Sequence, residues 1–75
     1  MDLVDYPPIS DLQQISELVS KISILVRLNN PNYAIYQIEL LKVIYCSNDY
    51  SQYVQRISLN ICNLFLRALY NSNPN

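Results

Sequence analysis

The sequence predicts an all-α protein, a compact three-helix bundle with an extended N-terminal leader. Apolar residues recur at three- and four-residue steps along three segments, whereas strand-like alternation is confined to very short stretches. Short connections rich in Asn, Ser and Pro separate the segments, which favours antiparallel neighbours. The predicted organisation is a leader over 1–8 and a single domain over 9–75, with helices at approximately 10–28, 31–46 and 49–70.

Prolines separate the leader from the first helix. Pro7 and Pro8 hold the backbone before them out of the helical region. Ser10 then stands where an N-cap is expected, and Gln13 completes a Ser-x-x-Gln capping box. The predicted core stripe is Leu12, Ile15, Val19, Ile22 and Val26, widened by Leu18 and Leu25.

The first helix is predicted to end, and the second to begin, within a few residues of each other. Because the chain has no Gly, Asn29 or Asn30 is predicted to form the left-handed turn that ends the first helix. Asn30 is the predicted N-cap of the second helix, with Pro31 at its first position.

The second helix is apolar on nearly every side. We expect it to be the central helix, because such a helix is usually buried on more than one side. One apolar face comprises Ala34, Ile38, Leu41 and Tyr45, and another comprises Tyr36, Leu40, Val43 and Ile44.

The third helix is predicted to start near Asp49, where Gln52 suggests a second capping box. A second apolar line, formed by Leu59, Cys62, Leu66 and Leu69, flanks its core stripe and is wider than a three-helix monomer needs. The predicted core stripe is Tyr53, Val54, Ile57, Ile61, Leu64, Phe65 and Ala68.

The composition favours an interaction role. Hydrophobic residues make up 51% of the chain and charged residues 15%, against roughly 25% charged in an average globular protein. A domain of this size buries only about 60–65% of its unfolded surface, so the apolar surplus is expected on the surface, where it usually marks an interface. The alternative is that Tyr, which tolerates half-buried positions, supplies much of the surplus.

Two Asn-Pro-Asn units, starting at Asn30 and Asn73, lie 43 residues apart, close to the period of helical-repeat arrays. Residues 23–32 resemble the junction between the second and third helices of an armadillo repeat, and 48–57 resemble the first helix of the next repeat. Residues 23–75 thus resemble the armadillo/HEAT-type helical repeats, which implies a stacked helical scaffold for protein binding.

The chain departs from the armadillo pattern in ways that prevent transfer of its peptide-binding residues. It has no Gly between the first and second helices of the repeat, and Glu39 replaces the usual small Ala. The peptide-binding positions fall on Leu41 and Tyr45. A plain three-helix bundle whose helices are capped by Asn is the alternative to a repeat.

Residues suited to catalysis or to metal binding are scarce. The chain has no His, its six acids are scattered, and Cys46 and Cys62 are sixteen residues apart and predicted to be free thiols. We therefore expect no enzymatic activity, no catalytic residues, no cofactor, no metal and no small-molecule substrate.

A non-enzymatic helical protein–protein interaction module is the predicted function, one that homo-oligomerises or docks on a larger assembly. One alternative is a small phage- or viral-type regulator of a host protein or nucleic-acid machine. Another is a weak nucleic-acid binder using Arg56, Arg67 and Lys42, although a net charge of −1 argues against it. The predicted interface residues are Tyr36, Tyr50, Tyr53, Leu59, Leu66 and Tyr70.

The expected location is intracellular, and the host cytoplasm if the chain is viral. Asp2 and Asp5 stand where a signal peptide has basic residues. No run of about 18 apolar residues suggests a membrane span.

Overall fold

Residues 7–72, which the computed structural model describes, form three α-helices: α1 (Ile9–Arg27), α2 (Pro31–Tyr45) and α3 (Gln52–Ser72). Each helix packs against the other two, so the predicted all-α three-helix bundle is confirmed. The leader prediction and the terminal Asn-Pro-Asn lie largely outside the described residues; within them, Pro8 has the extended backbone (φ −57°, ψ 148°) that was expected.

The first helix begins earlier than predicted, and Ser10 is not its cap. Pro8 occupies the N-cap position without a side-chain bond, and its carbonyl accepts the N–H groups of Asp11 at 3.0 Å and Leu12 at 3.2 Å. The extended Pro8 stops the helix on its N-terminal side, so Ser10 falls inside the first turn. The predicted Ser10 capping box is therefore wrong.

The connection between α1 and α2 is confirmed in detail. Asn29 adopts the left-handed conformation, with φ at 57°, which a short polar side chain tolerates where Gly is lacking. Asn30 then caps α2, because its Oδ1 accepts the N–H of Tyr33 at 3.2 Å. Pro31 occupies the first turn of α2, where the missing N–H costs nothing.

The third helix begins two to three residues later than predicted, and Ser51 rather than Asp49 caps it. The Ser51 hydroxyl accepts the N–H of Val54 at 3.2 Å and donates to Asp11 Oδ2 at 2.8 Å. Asp11 is only 8% exposed, so this bond satisfies a buried carboxylate. One serine therefore caps α3 and ties it to the start of α1.

The core stripes predicted for α1 and α3 are confirmed in part. Leu18, Ile22 and Val54 are buried as predicted, and Ile15, Leu25, Ile61 and Phe65 pack against the core. Leu64 and Ala68, predicted for the core of α3, are exposed, whereas Cys62 and Leu66, predicted for its flank, are buried. Small Ser58 and Cys62 lie on the buried line of α3, together with Val54 and Leu66. The buried core comprises Leu18, Ile22, Ala34, Ile38, Tyr45, Val54, Cys62 and Leu66.

The prediction that the second helix is central is wrong for the single chain. Ala34, Ile38 and Tyr45 of α2 face the core as predicted, but Tyr36 and Val43 are exposed. In a three-helix bundle each helix has one side toward the core, so the second apolar face of α2 is left toward solvent.

Replacing Ser51 tests the assigned start of α3. Ser51→Ala should lower the free energy of unfolding by about 1–2 kcal/mol, because it removes the N-cap and the donor to buried Asp11. Ser10→Ala is the matched control and should change it by less than about 0.5 kcal/mol. Urea denaturation measures both, and a larger effect at Ser10 than at Ser51 would contradict the assigned helix starts.

Candidate functional site

The largest apolar side chains that α2 exposes lie on one side of the helix. We call this set the α2 outer face; its exposures run from 43% to 72%. It comprises Tyr33, Tyr36, Leu40, Val43 and Ile44.

The spacing of these residues creates a continuous strip. Tyr33, Tyr36, Leu40 and Val43 follow one another at steps of three, four and three residues, the spacing by which helices pack side by side. The strip is about 16 Å long at 1.5 Å per residue. It lies opposite the side of α2 that carries buried Ile38.

Both ends of α2 are held in place, which fixes the direction of this face. The Asn30 cap fixes the first turn, where Tyr33 lies. At the last residue, buried Tyr45 donates its hydroxyl proton to Glu17 Oε1 and accepts a bond of 3.1 Å from Lys21 Nζ, both on α1. The rotation of α2 about its own axis is therefore set by contacts on its inner side.

Two exposed apolar residues, Ile24 of α1 and Leu28 just after its end, lie on the side of α1 that faces α2. Glu17 and Lys21 lie on the side of α1 that contacts α2. Ile24 and Leu28 follow them by seven residues, nearly two full turns, and so lie on the same side. They are 54% and 55% exposed, and we call them the α1 edge.

The exposed area is large for so small a chain. Side chains of this size bury about 150–250 Å² each when fully covered, so exposures near one half leave roughly 500 Å² on the α2 outer face. The α2 outer face alone therefore reaches the range of about 300–600 Å² that is typical of the largest apolar patch on a monomer, and the α1 edge adds roughly 200 Å² on the neighbouring helix. A patch of this size is typical of a contact surface.

The predicted interface residues do not form one surface. Tyr36 lies on the α2 outer face, whereas Tyr53, Leu59 and Tyr70 are exposed at other positions, on α3. Tyr50 is half-buried and stacks on Tyr45, with ring centroids 4.9 Å apart and an angle of 16° between the planes.

The prediction that Leu66 is an interface residue is wrong. It is only 5% exposed and belongs to the core, so it is not available to a partner in the folded chain. Its assignment to an interface followed from the wrong rotation of α3.

Most of the α2 outer face is recognisable in the sequence. Tyr36, Leu40, Val43 and Ile44 form the second apolar face of the helix, which the sequence predicts inside the bundle. The spacing of these residues shows that this side of the helix is apolar. It does not show whether another helix of the same chain packs against that side. Tyr33 completes the strip at the first turn of α2.

A shallow groove lies at the junction of α2 and α3. It has a volume of about 490 Å³, is open to solvent, and is lined by Cys46, Gln52, Gln55, Arg56 and Leu59. The Cys46 Sγ donates to the Gln55 carbonyl at 3.5 Å. Arg56 supplies the one charge of this lining, and the groove does not enclose a ligand as a typical pocket does.

Three side chains at or near the core, Tyr45, Cys46 and Cys62, are held in their neutral forms. Burial, followed by the hydrogen bond to the Glu17 carboxylate, raises the pKa of Tyr45 far above its usual value. Burial, followed by the nearby Cys46 thiol, raises the pKa of Cys62 to about 11. Burial also raises the pKa of Cys46, against a smaller opposing effect of Lys42.

Both cysteines are free thiols, as predicted, with Cys62 buried and Cys46 partly buried. A raised pKa leaves little thiolate at neutral pH, and the thiolate is the nucleophilic form. Among residues 7–72, no cluster of three or more His, Cys, Asp or Glu side chains could hold a metal ion. Nor is any helix of that part of the chain long and apolar enough to cross a membrane.

No family model matches the chain, and no curated protein or solved structure matches it. The resemblance of residues 23–75 to armadillo/HEAT-type repeats stays a prediction.

The raised pKa of Tyr45 predicts a loss of stability in alkali. Below pH 10, Tyr45→Phe should be less stable than wild type by about 1–2 kcal/mol, because it lacks the bonds to Glu17 and Lys21. Above pH 10 a tyrosine ionises in the unfolded chain but stays neutral in the folded one, so unfolding becomes easier as pH rises. The advantage of wild type should shrink by about 1.4 kcal/mol at pH 11.

Urea denaturation at a series of pH values measures this difference. The cysteines titrate in both proteins, so their effect cancels in the comparison. Tyr36→Phe, at a 61% exposed position, is the control and should stay within about 0.5 kcal/mol of wild type at pH 7. An advantage that stays constant or grows up to pH 11 would contradict the buried, neutral Tyr45.

Proposed function

We propose that the chain is a non-enzymatic helical protein–protein interaction module that homo-oligomerises or docks on a larger assembly through the α2 outer face. The observation that carries the proposal is the strip of five exposed apolar side chains along one side of α2. Covering this strip removes its apolar area from water, which is the main driving force of most protein association.

The chemistry of the strip suits a protein partner. Tyr33 and Tyr36 provide rigid rings that bury much area at low entropic cost, and Tyr is enriched at the energetic centres of interfaces. Leu40 and Val43 add aliphatic surface at the spacing with which one helix packs along another. An apolar helix or helix pair is therefore the kind of surface that fits.

The state of the reactive groups supports a non-enzymatic role. The raised pKa values of Tyr45 and of the two thiols leave little of their nucleophilic anions at neutral pH. Two free thiols also support an intracellular, reducing location.

The two alternative functions would each use a surface other than the α2 outer face. A regulator of the phage or viral type would act through the acidic leader, which lies mainly outside the described residues, or through the polar side of α3. A weak nucleic-acid binder would use Arg56 and Arg67, which are exposed on α3 eleven residues, or about 17 Å, apart. Neither surface has the continuity of the α2 outer face.

Site-specific photocrosslinking tests the proposed function. A p-benzoylphenylalanine in place of Val43, 72% exposed on the α2 outer face, should capture a protein in the cells that make the chain. The same group in place of Leu64, 63% exposed on α3, is the matched control and should capture none. Mass spectrometry then identifies the captured chain.

The outcomes at position 43 separate the possibilities. Capture of a second copy or of another protein supports docking through the α2 outer face. No capture at position 43, or equal capture at 43 and 64, would overturn the proposal.

A further inference from the structure

We infer that the partner of the α2 outer face is a second copy of this chain, with the two α2 helices packed antiparallel across a two-fold axis. The inference rests on the proposed function and names its partner.

The available area matches a small dimer. The α2 outer face and the α1 edge present roughly 700 Å² per chain, so pairing two copies buries on the order of 1,400 Å² in total, within the about 1,200–2,000 Å² of stable, specific interfaces. The α2 outer face alone would bury only about 1,000 Å², the lower limit for a biological interface. The α1 edge therefore brings the contact into the normal range.

The absence of charged side chains from the α2 outer face favours a second copy of this chain over a charged protein as its partner. The α2 outer face contains only Tyr, Leu, Val and Ile side chains, so it offers no ion pair with which to select an acidic or basic chain. The net charge of one chain is −1, so two copies repel each other only weakly. An isologous contact needs just this one patch, because each copy presents it to the other.

The order of side-chain sizes favours the antiparallel arrangement. Large Tyr33 and Tyr36 lie toward the start of the strip, and smaller Leu40 and Val43 toward its end. Antiparallel pairing sets Tyr33 against Val43 of the second copy and Tyr36 against Leu40, so large packs on small along the whole contact. Parallel pairing would set Tyr on Tyr at one end and Val on Val at the other, which leaves the helices unevenly spaced.

The charged residue beside the strip has a small effect. Glu39 is exposed at the border of the α2 outer face, and in the antiparallel pair the two Glu39 side chains flank the axis. Exposed charges of this kind interact weakly in water, by about 1 kcal/mol or less. The apolar contact outweighs this repulsion.

Sedimentation of the full chain tests the dimer, over concentrations from about 1 to 200 µM. Wild type should sediment with twice the mass of one chain at the upper end. Val43→Glu should weaken dimerisation by about a hundredfold or more, because it would bury two unpaired carboxylates in an apolar contact. Leu64→Glu, the matched control on α3, should dimerise as wild type does, and far-UV circular dichroism should show the same helix content for all three.

A double variant tests the orientation. In the antiparallel pair, Tyr33→Lys combined with Val43→Glu sets a lysine opposite each glutamate, so it should dimerise more tightly than Val43→Glu alone. Weaker dimerisation of the double variant would overturn the antiparallel arrangement, because a parallel pair sets like charges together.

The other outcomes are equally decisive. A monomeric wild type at every concentration, or a Val43→Glu chain that dimerises as wild type does, would overturn the inferred dimer. The proposed docking function would survive that result if the crosslinker at position 43 captured a different protein. The proposed docking function is overturned by a different result, namely that the crosslinker at position 43 captures no protein.

Discussion

Helix α2 has two apolar faces, but a three-helix bundle can bury only one side of each helix. The second apolar face of α2 is therefore left exposed, and this determines how the protein can interact. One face packs into the core through Ala34, Ile38 and Tyr45. The other remains at the surface as a strip of tyrosine and aliphatic side chains. A chain with 51% hydrophobic residues and a single small core must expose some apolar surface. Five of the fifteen large hydrophobic side chains exposed among residues 7–72 lie together along one side of α2, and a strip of this kind is typical of a contact surface.

A few polar contacts determine which face of α2 points outward. Tyr45 ends the helix inside the bundle and is held there by Glu17 and Lys21 of α1 and by the stacked ring of Tyr50. In the first turn of α1, buried Asp11 accepts a hydrogen bond from Ser51, which joins it to the start of α3. Breaking either contact leaves polar atoms without partners in a region that excludes much of the water. These hydrogen bonds hold α2 in the rotation that places Tyr45 inside and the α2 outer face outside.

The sequence was sufficient for the helices but not for their rotation. Asn30 and Pro31 predicted the start of α2 correctly, because cap and first-turn chemistry is local. The predicted core stripe of α3 was right for Val54 but wrong for Leu64, because the buried line of α3 continues through the less hydrophobic Ser58 and Cys62. Ser58 is fully buried, and its hydroxyl has no hydrogen-bond partner among residues 7–72, a position that no apolar pattern predicts. For the candidate site, the second apolar face of α2 was visible in the sequence, but whether one chain covers it depends on three-dimensional packing.

Methyl NMR during dilution tests most directly whether the α2 outer face is the contact surface of a dimer. If the α2 outer face is the dimer contact, the methyl resonances of Leu40, Val43 and Ile44 shift with concentration, while those of Leu18 and Ile22 in the core stay fixed. Shifts confined to Leu64 and Leu59 on α3, or no shift at concentrations where the chain sediments as a dimer, would contradict it.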